Sequence, residues 1–477
     1  MLVMKFGGTS VGCAESICRV SQIVQARLRW RPVVVVSALA KVTDQLQTAG
    51  ELSRIGRFSE ALQIISGIEQ RHADIAQALL PATFRDLLDL VLRPSFDEVR
   101  ALLKAISAIG ELTARTSDRL LSFGERWSSC LVSEVLRAQG IPAELVDACS
   151  LLVTDANHGH AAPQMELIKS RVESKLLPLV ERGGVPVLGG FIGATAECIP
   201  TTLGRGGSDF TASIVGASGG AERIEIWTDV DGMMTADPRI CPEAQNIDSI
   251  SFEEAAELAH FGAKVLHPQT LQPAVELGIP VYVLNSRRPD GRGTRVEVGE
   301  QTGEPRVRSV ACKRGIVLAE VFAKQGLDAK LAASIFEAME QQNCLVDLAA
   351  MSRSNLSLLL TSESAGAALA QFLEGVAEVK ITSGVALVSL VGRNVARDPS
   401  VSARALSALP DREVKMIFHG ASDMNLSFAI DEREADEVVC SLHQALFSQC
   451  CGEEQPASLL ATRHPQYQPA VNAVAEA

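Results

Sequence analysis

The sequence lacks three features that would place it in a specialised class of protein. No uncharged apolar run approaches the roughly 18 residues that a membrane span requires. The 11 cysteines include no C-x-x-C pair and no zinc-ligand spacing, and no secretory signal opens the chain. We therefore expect reduced thiols in a cytoplasmic protein. No GxxxxGK[ST] motif occurs either, which excludes a P-loop enzyme.

An excess of basic residues is also missing. The chain has 44 Lys and Arg against 57 Asp and Glu, which gives a formal net charge of −13. This balance argues against nucleic acid or an anionic membrane as a partner. It leaves room for an anionic small molecule, since a small site needs only a few local cations. A length of 477 residues predicts two to four domains.

Up to about residue 300, apolar β-branched runs alternate with helical patterns. The runs at 32–39, 186–193, 223–230 and 280–286 are typical of fully buried strands. Because parallel strands need helical crossovers, the alternation predicts an α/β sandwich with a largely parallel sheet across residues 1–300. Residues 44–120 are instead Leu- and Ala-rich with helical spacing, and we interpret them as a helical insertion.

A Gly-, Pro- and charge-rich stretch around residues 287–310 indicates a domain boundary. Beyond it, the order strand–helix–strand–strand–helix occurs twice. This predicts two small α+β units at 301–384 and 385–452, a pattern compatible with interleaving of the two. They contain no phosphate loop or carboxylate pair, which favours a regulatory function. Residues 453–477 show no periodicity and are predicted to form a disordered tail.

The first motif is KFGGTSVG at residues 5–12. Gly7 and Gly8 allow backbone N–H groups to approach an anion, and the following helix adds positive potential. Lys5, at the end of the preceding strand, is suited to stabilising a transferring phosphoryl group. The alternative is an ordinary tight turn, which this motif alone does not exclude.

The second motif, TTLGRGGSDFTA at residues 201–212, places three glycines around an arginine. Arg205 is suited to binding a carboxylate with both arms of its guanidinium. Ser208 and Asp209 stand at the head of a helix, and the alternative is that Asp209 only caps it. Three glycines around an arginine and an aspartate are more than a cap needs, which favours a functional loop.

The third motif, WTDVDG followed by DPR, begins at the end of a predicted strand. Ligands of open α/β sheets bind beyond the carboxyl ends of the strands. Thr228 and Asp229 are therefore candidates for contact with a nucleotide, and Arg239 for contact with its phosphates. A common surface turn is the alternative.

Two further motifs carry weaker signals. In FGAKVLHP, Lys264 is helix-borne, and most such lysines are simply solvated. In SFGERWSS, Glu125 belongs to a pair of opposite charges. At a helix start, such a pair usually only caps the helix or interacts with its dipole.

Taken together, these motifs and GGFIG resemble those of the aspartate kinases, in the same order and at comparable spacing, over roughly residues 1–450. The C-terminal pair of units resembles the two ACT (βαββαβ) units of that family. The resemblance implies an amino-acid-kinase-type fold and transfer of the ATP γ-phosphoryl group to the β-carboxylate of L-aspartate. This is the first step of aspartate-family amino-acid biosynthesis.

The resemblance also implies roles for individual residues. Lys5 and Asp209 would be catalytic. Aspartate would be bound by Ser37, Thr43, Glu125, Arg205 and Ser208, and the nucleotide by Gly7, Gly8, Thr228, Asp229, Arg239 and Lys264. Mg²⁺ is expected to be held mainly through the ATP phosphates rather than by protein ligands. A homodimer or homotetramer formed through the ACT units is expected, with allosteric control.

The sequence departs from the family pattern at three places. Met234 replaces a frequent tyrosine near the nucleotide, and Ala40-Lys41 stands where Ala-Gly is frequent. Lys330-Leu331-Ala332 replaces the usual Gly-Phe-Leu of the first ACT helix, which leaves the effector open. Two alternatives also stay open: another amino-acid kinase of the same fold, and a non-catalytic amino-acid sensor.

Overall fold

The computed structural model describes residues 1–262, 268–299, 306–324, 326–341, 344, 346–409, 412–420 and 422–447. The N-terminal part is built on an eight-stranded sheet with the order β3-β4-β2-β1-β7-β9-β10-β8. A two-stranded ribbon, β5-β6, stands beside it. The strands are β1 Leu2–Phe6, β2 Pro32–Val36, β3 Ala143–Leu145, β4 Val185–Gly189, β5 Ile192–Ala194, β6 Pro200–Thr202, β7 Arg223–Thr228, β8 Ser249–Ser251, β9 Val281–Asn285 and β10 Thr294–Glu297.

The large sheet is mainly parallel, which confirms the predicted fold class. Strands β1, β2, β4, β7 and β9 run in one direction, and β10 pairs antiparallel with β9. The central strands are Val-rich and buried on both faces. They therefore show continuous apolar runs rather than alternation. Hydrophobic clusters cover the sheet on both sides.

Helices connect the strands and cover the sheet. Residues 44–120 are largely helical and pack on one side of the sheet as α2 to α5. The helices of this part are α1 Ala14–Gln25, α2 Val42–Arg54, α3 Phe58–Leu79, α4 Ala82–Ile109, α5 Ala114–Ala138, α6 Met165–Arg171, α7 Leu177–Glu181, α8 Gly207–Gly219, α9 Phe252–His260 and α10 Gln272–Glu276.

The C-terminal part is an antiparallel six-stranded sheet with the order β12-β13-β11-β14-β16-β15. Two long strands, β11 and β14, form its centre and pair along most of their lengths. Its elements are β11 Arg306–Ala323, α11 Ala329–Gln341, β12 Val346–Met351, β13 Asn355–Leu360, α12 Glu363–Phe372, β14 Ala377–Arg393, α13 Pro399–Ser407, β15 Val414–His419, β16 Asn425–Asp431 and α14 Ala435–Phe447.

The two long strands are shared between the halves of this sheet. The second half of β11 pairs with β13, whereas the second half of β14 pairs with β16. Gly315 and Gly384 adopt φ of 71° and 69° where the two strands change register. Each of the two long strands therefore belongs to both halves of the sheet. The proposed boundary between residues 384 and 385 falls inside β14.

No helix among the described residues combines the length and the apolar character needed to cross a bilayer. The predicted disordered tail at 453–477 lies outside the described residues.

Candidate active site

A pocket of about 360 Å³ opens at the carboxyl ends of β1, β2 and β4. Its walls come from the loops after β1 and β2, from α5 and from the loop that leads into α8. The lining residues are Lys5, Gly8, Ser37, Ala38, Leu39, Ala40, Lys41, Thr43, Asp44, Glu125, Phe191, Gly204, Arg205, Gly206, Gly207, Ser208 and Asp209. The pocket thus brings together both residues predicted to be catalytic and all five predicted to bind aspartate.

The side chains of Lys5 and Asp209 form an ion pair. The Nζ of Lys5 lies 2.7 Å from Oδ1 of Asp209, and the two side chains are only 11% and 13% exposed. Lys5 stands on the central strand β1, whereas Asp209 lies in the first turn of α8. The carboxylate therefore holds the ammonium at the edge of the pocket with little solvent around it.

The N-cap of α8 is Gly206, in a left-handed conformation with φ of 73°, rather than Ser208 or Asp209. The capping alternative for Asp209 is therefore wrong. Its side chain is directed to Lys5, and no side-chain hydrogen bond caps this helix.

The loop after β1 is closely packed against the loop after β2. A Cβ atom on Gly8 would lie 2.9 Å from the carbonyl oxygen of Ala38, so a larger residue would force the backbone to move. The N–H of Gly7 donates to the carbonyl of Trp227 at 3.1 Å, which ties this loop to the end of β7. The tight turn thus leaves backbone open to the pocket beside Lys5.

Glu125 is a buried carboxyl group in the wall of the pocket. Its Oε1 accepts from the N–H of Ala38 at 3.2 Å, and its Oε2 has no hydrogen-bond partner among the described residues. Burial raises the pKa of the Glu125 carboxyl to about 8, and the bond from Ala38 only partly offsets this. Such a group is ready to receive a cation, because an ammonium would stabilise its ionised form.

The raised pKa of Glu125 predicts a pH-dependent stability. Between pH 4.5 and 8 the unfolded chain has lost this proton and the folded chain keeps it, so folding becomes less favourable as the pH rises. We expect Glu125→Gln to remove this contribution. The difference in melting temperature, variant minus wild type, should therefore increase from pH 5 to 8. Thermal melts across this range measure it.

The matched control for this measurement is Glu134→Gln on the same helix. Glu134 pairs with Arg137 at 2.9 Å, and its side chain is 14% exposed. Its substitution should leave the pH slope as in the wild type. An unchanged slope in Glu125→Gln would show that the buried carboxyl is ionised throughout.

Arg205 is exposed at the mouth of the pocket, on a loop that the surrounding structure holds in place. A Cβ on Gly190 would lie 2.7 Å from Ser208, so the GGFIG segment packs directly on the start of α8. Before the loop, buried Asp118 accepts a hydrogen bond from Thr202 at 2.7 Å and contacts His158 at 2.7 Å. The sequence reasoning missed Asp118, which supports the loop from α5, because only its burial distinguishes it from other acidic residues.

Lys41 is one of the residues at which the sequence departs from the family pattern. It adopts a left-handed conformation with φ of 69° at the start of α2, a region that glycine occupies without steric strain. It also lines the pocket, so the substitution adds a cation there. Sequence reasoning identified the position but not this cation.

The predicted nucleotide residues are less closely grouped. Thr228 ends β7, next to β1 on the side away from β2, and its hydroxyl donates to Asp229 at 3.3 Å. Arg239 lies on the surface with a side chain 88% exposed, paired with Asp237. Met234 forms an isolated bridge with Asn246, and Lys264 lies outside the described residues. Lys5 itself lines the pocket and lies on β1, the strand next to β7.

The parallel α/β sheet, with Lys5 and a glycine loop at its carboxyl edge, fits the class of amino acid kinases. Residues 1–285 match the amino acid kinase family model, and residues 388–446 match an ACT domain model. The chain belongs to the amino acid kinase family, and within it to the aspartokinases. It is 34% identical over 463 residues to lysine-sensitive aspartokinase 3 of Escherichia coli, a match that covers 94% of this chain and 99% of the relative.

A chloroplastic relative and two solved structures extend this result. Aspartokinase 2 of Arabidopsis thaliana is 34% identical, with 93% of this chain and 84% of the relative covered. E. coli aspartokinase III in complex with aspartate and ADP has a TM-score of 0.78 at 32% identity, over 94% of this chain and 100% of that one. Its complex with lysine and aspartate has a TM-score of 0.80 at 32% identity, over 94% and 99%.

Proposed function

We propose that this chain transfers the γ-phosphoryl group of ATP to the β-carboxylate of L-aspartate in the pocket described above, which gives 4-phospho-L-aspartate and ADP. A carboxylate oxygen forms the new bond to phosphorus as the bond to the ADP oxygen breaks. The acceptor is already ionised at neutral pH, so no general base is needed. The protein has to align two anions and offset their charge.

The observation that carries the proposal is the buried pair of Lys5 and Asp209. Both residues line the pocket, and Lys5 lies on β1, the strand next to β7. A fixed cation at that point stabilises negative charge on the transferring phosphoryl group. Asp209 orients the Lys5 ammonium, since their 2.7 Å contact restricts a side chain that is otherwise flexible.

The remaining residues of the pocket suit a free amino acid with two carboxylates. Arg205 supplies a guanidinium for one carboxylate, and Glu125 supplies a site for the ammonium. Ser37, Thr43 and Ser208 place hydroxyl groups around the same space. Because the pKa of Glu125 is about 8 in the free protein, binding of the ammonium is accompanied by release of the Glu125 proton near neutral pH.

The glycine loop fits the phosphates of ATP, because Gly8 brings backbone close to Lys5 where a Cβ would clash. Thr228 and Asp229 at the end of β7 are the proposed partners of the nucleoside, together with Arg239 and Lys264. Asp209 is already paired with Lys5, which suits a Mg²⁺ held mainly by the phosphates. Such an ion would neutralise phosphate charge.

We also propose a regulatory role for the six-stranded sheet as an ACT pair, and assembly into a homodimer or homotetramer through it. The relatives include a lysine-sensitive enzyme and a lysine complex, so an amino acid is the proposed class of effector. The departure at Lys330-Leu331-Ala332 does not prevent the first ACT helix from forming. Asp328 accepts from the N–H of Leu331 at 2.8 Å at the start of α11.

The activity is tested by trapping the acyl phosphate with hydroxylamine. Purified chain with ATP, Mg²⁺ and L-aspartate should form aspartyl hydroxamate in proportion to enzyme, and omission of any one of the three should abolish it. Glutamate and N-acetylglutamate serve as competing acceptors. Product from either of these and none from aspartate would instead indicate another amino-acid kinase, and no product from any acceptor would favour a sensor.

A further inference from the structure

A second cluster of reactive side chains lies at the contact between the two parts of the protein. The segment after β7 contributes Cys241 and Glu243, and helix α14 contributes His443. One ligand atom from each of these three residues lies within 4.8 Å of the others. Cys241 and His443 are buried, whereas Glu243 is exposed. The cluster is separate from the pocket that contains Lys5.

His443 has a ring nitrogen without a hydrogen-bond partner. The side chain is 2% exposed, and its Nε2 lies 2.8 Å from the hydroxyl of Thr235. Within the described part of the chain, its Nδ1 has no partner. A buried nitrogen without a partner is unfavourable, because it has lost its hydrogen bond to water. Histidines that bind metals commonly donate their other N–H to an oxygen, as Nε2 can donate here to Thr235.

Cys440 lies near this cluster but is not part of it. It precedes His443 by three residues on α14, so both side chains point to the same face of the helix. Its Sγ donates to the carbonyl of Ile240 at 3.3 Å, directly before Cys241. The groups that lie close to one another are the Cys241 thiol, the His443 imidazole and the Glu243 carboxylate.

We propose that Cys241, Glu243 and His443 bind a Zn²⁺ ion, with water as the fourth ligand. Thiolate, imidazole and carboxylate are the ligands that Zn²⁺ takes in proteins, and four ligands give it tetrahedral geometry. Binding releases the Cys241 thiol proton, because only the thiolate coordinates. The ion joins the segment after β7 to α14 and so fixes the second ACT-type half of the small sheet to the kinase part.

Cobalt titration of the full-length chain tests the site, after chelation and with a non-thiol reductant present. We expect one Co²⁺ per chain, with the thiolate-to-cobalt charge-transfer band and the strong visible bands of tetrahedral Co²⁺. Zn²⁺ should displace these bands and raise the melting temperature of the chelated protein. A spectrum without thiolate ligation, or a melting temperature indifferent to Zn²⁺, would overturn the proposal.

Substitutions assign the ligands. Cys241→Ser and His443→Gln should remove the tetrahedral spectrum. Glu243→Gln should weaken metal binding at least about tenfold, because loss of even an outer-shell partner of a metal site lowers its affinity by that much. Because Glu243 is exposed, that variant keeps its fold and remains decisive. Cys149→Ser and the double variant Cys450→Ser/Cys451→Ser are controls and should bind as the wild type does. The proposed site would be refuted if only the Cys450/Cys451 variant lost the spectrum. It would also be refuted if Glu243→Gln and Cys241→Ser bound the metal as the wild type does.

Discussion

Replacing Lys5 by alanine should lower kcat by about 10²- to 10³-fold, the loss typical when one preorganised group that stabilises transition-state charge is removed. The Lys5 ammonium is held 2.7 Å from Asp209 at the junction of the acceptor pocket and the end of β7. In our proposal it meets the phosphoryl group as charge moves to its oxygens. The KM values for aspartate and ATP should change much less than kcat, because ground-state binding uses other residues.

Stability has to be separated from catalysis in this experiment. Removal of Lys5 leaves Asp209 as a largely buried charge without its partner, and breaking such a pair destabilises proteins by up to about 3–5 kcal/mol. The double variant Lys5→Ala/Asp209→Asn removes both charges. It should recover much of the lost melting temperature and none of the lost kcat. A Lys5→Ala enzyme that turns over at the wild-type rate would remove Lys5 from the catalytic step.

Replacing Arg205 by alanine should raise the KM for aspartate by about 10- to 100-fold, because hydrogen bonds to charged groups contribute about 1.5–3 kcal/mol. The KM for ATP should stay close to that of the wild type, and so should the melting temperature, since the Arg205 side chain is exposed in the free protein. Steady-state kinetics with each substrate varied in turn measure this separation.

Arg205→Lys is the matched control for this experiment. Lysine keeps the charge but cannot form the paired hydrogen bonds of a guanidinium with a carboxylate. Its KM should therefore lie between those of the wild type and the alanine variant. If aspartate bound equally well to all three proteins, Arg205 would have no place in the substrate site.

The motifs of the site could be predicted because they occupy strand ends and glycine-rich loops. The apolar runs before Lys5 and Thr228 placed both residues at the edge of a parallel sheet, where ligands bind. Arg205 was distinguished by the glycines around it. These signals are local in the sequence, and the structure places all three positions at strand ends or in the loop before α8.

Other features could not be predicted because they depend on packing. Asp209 was also suited to capping a helix, and only the fold brings it to Lys5. Glu125 looked like a common charge pair, but enclosure by neighbouring elements raises its pKa to about 8. Asp118 carried no motif, and its support of the strand before Arg205 is evident only from its buried hydrogen bonds.

The amino-acid sequence by itself determined the parallel α/β core, the long helical stretch and the repeated α+β pattern of the C-terminal part, because each segment carries its own periodicity of apolar residues. Only the tertiary structure decided which charges are paired, which carboxyl is desolvated and which thiol lies close to an imidazole. Cys241 and His443 are about 200 residues apart in the chain, so no sequence spacing could reveal their proximity. Proximity and loss of water are properties of the packed chain, and they set the chemistry of its sites.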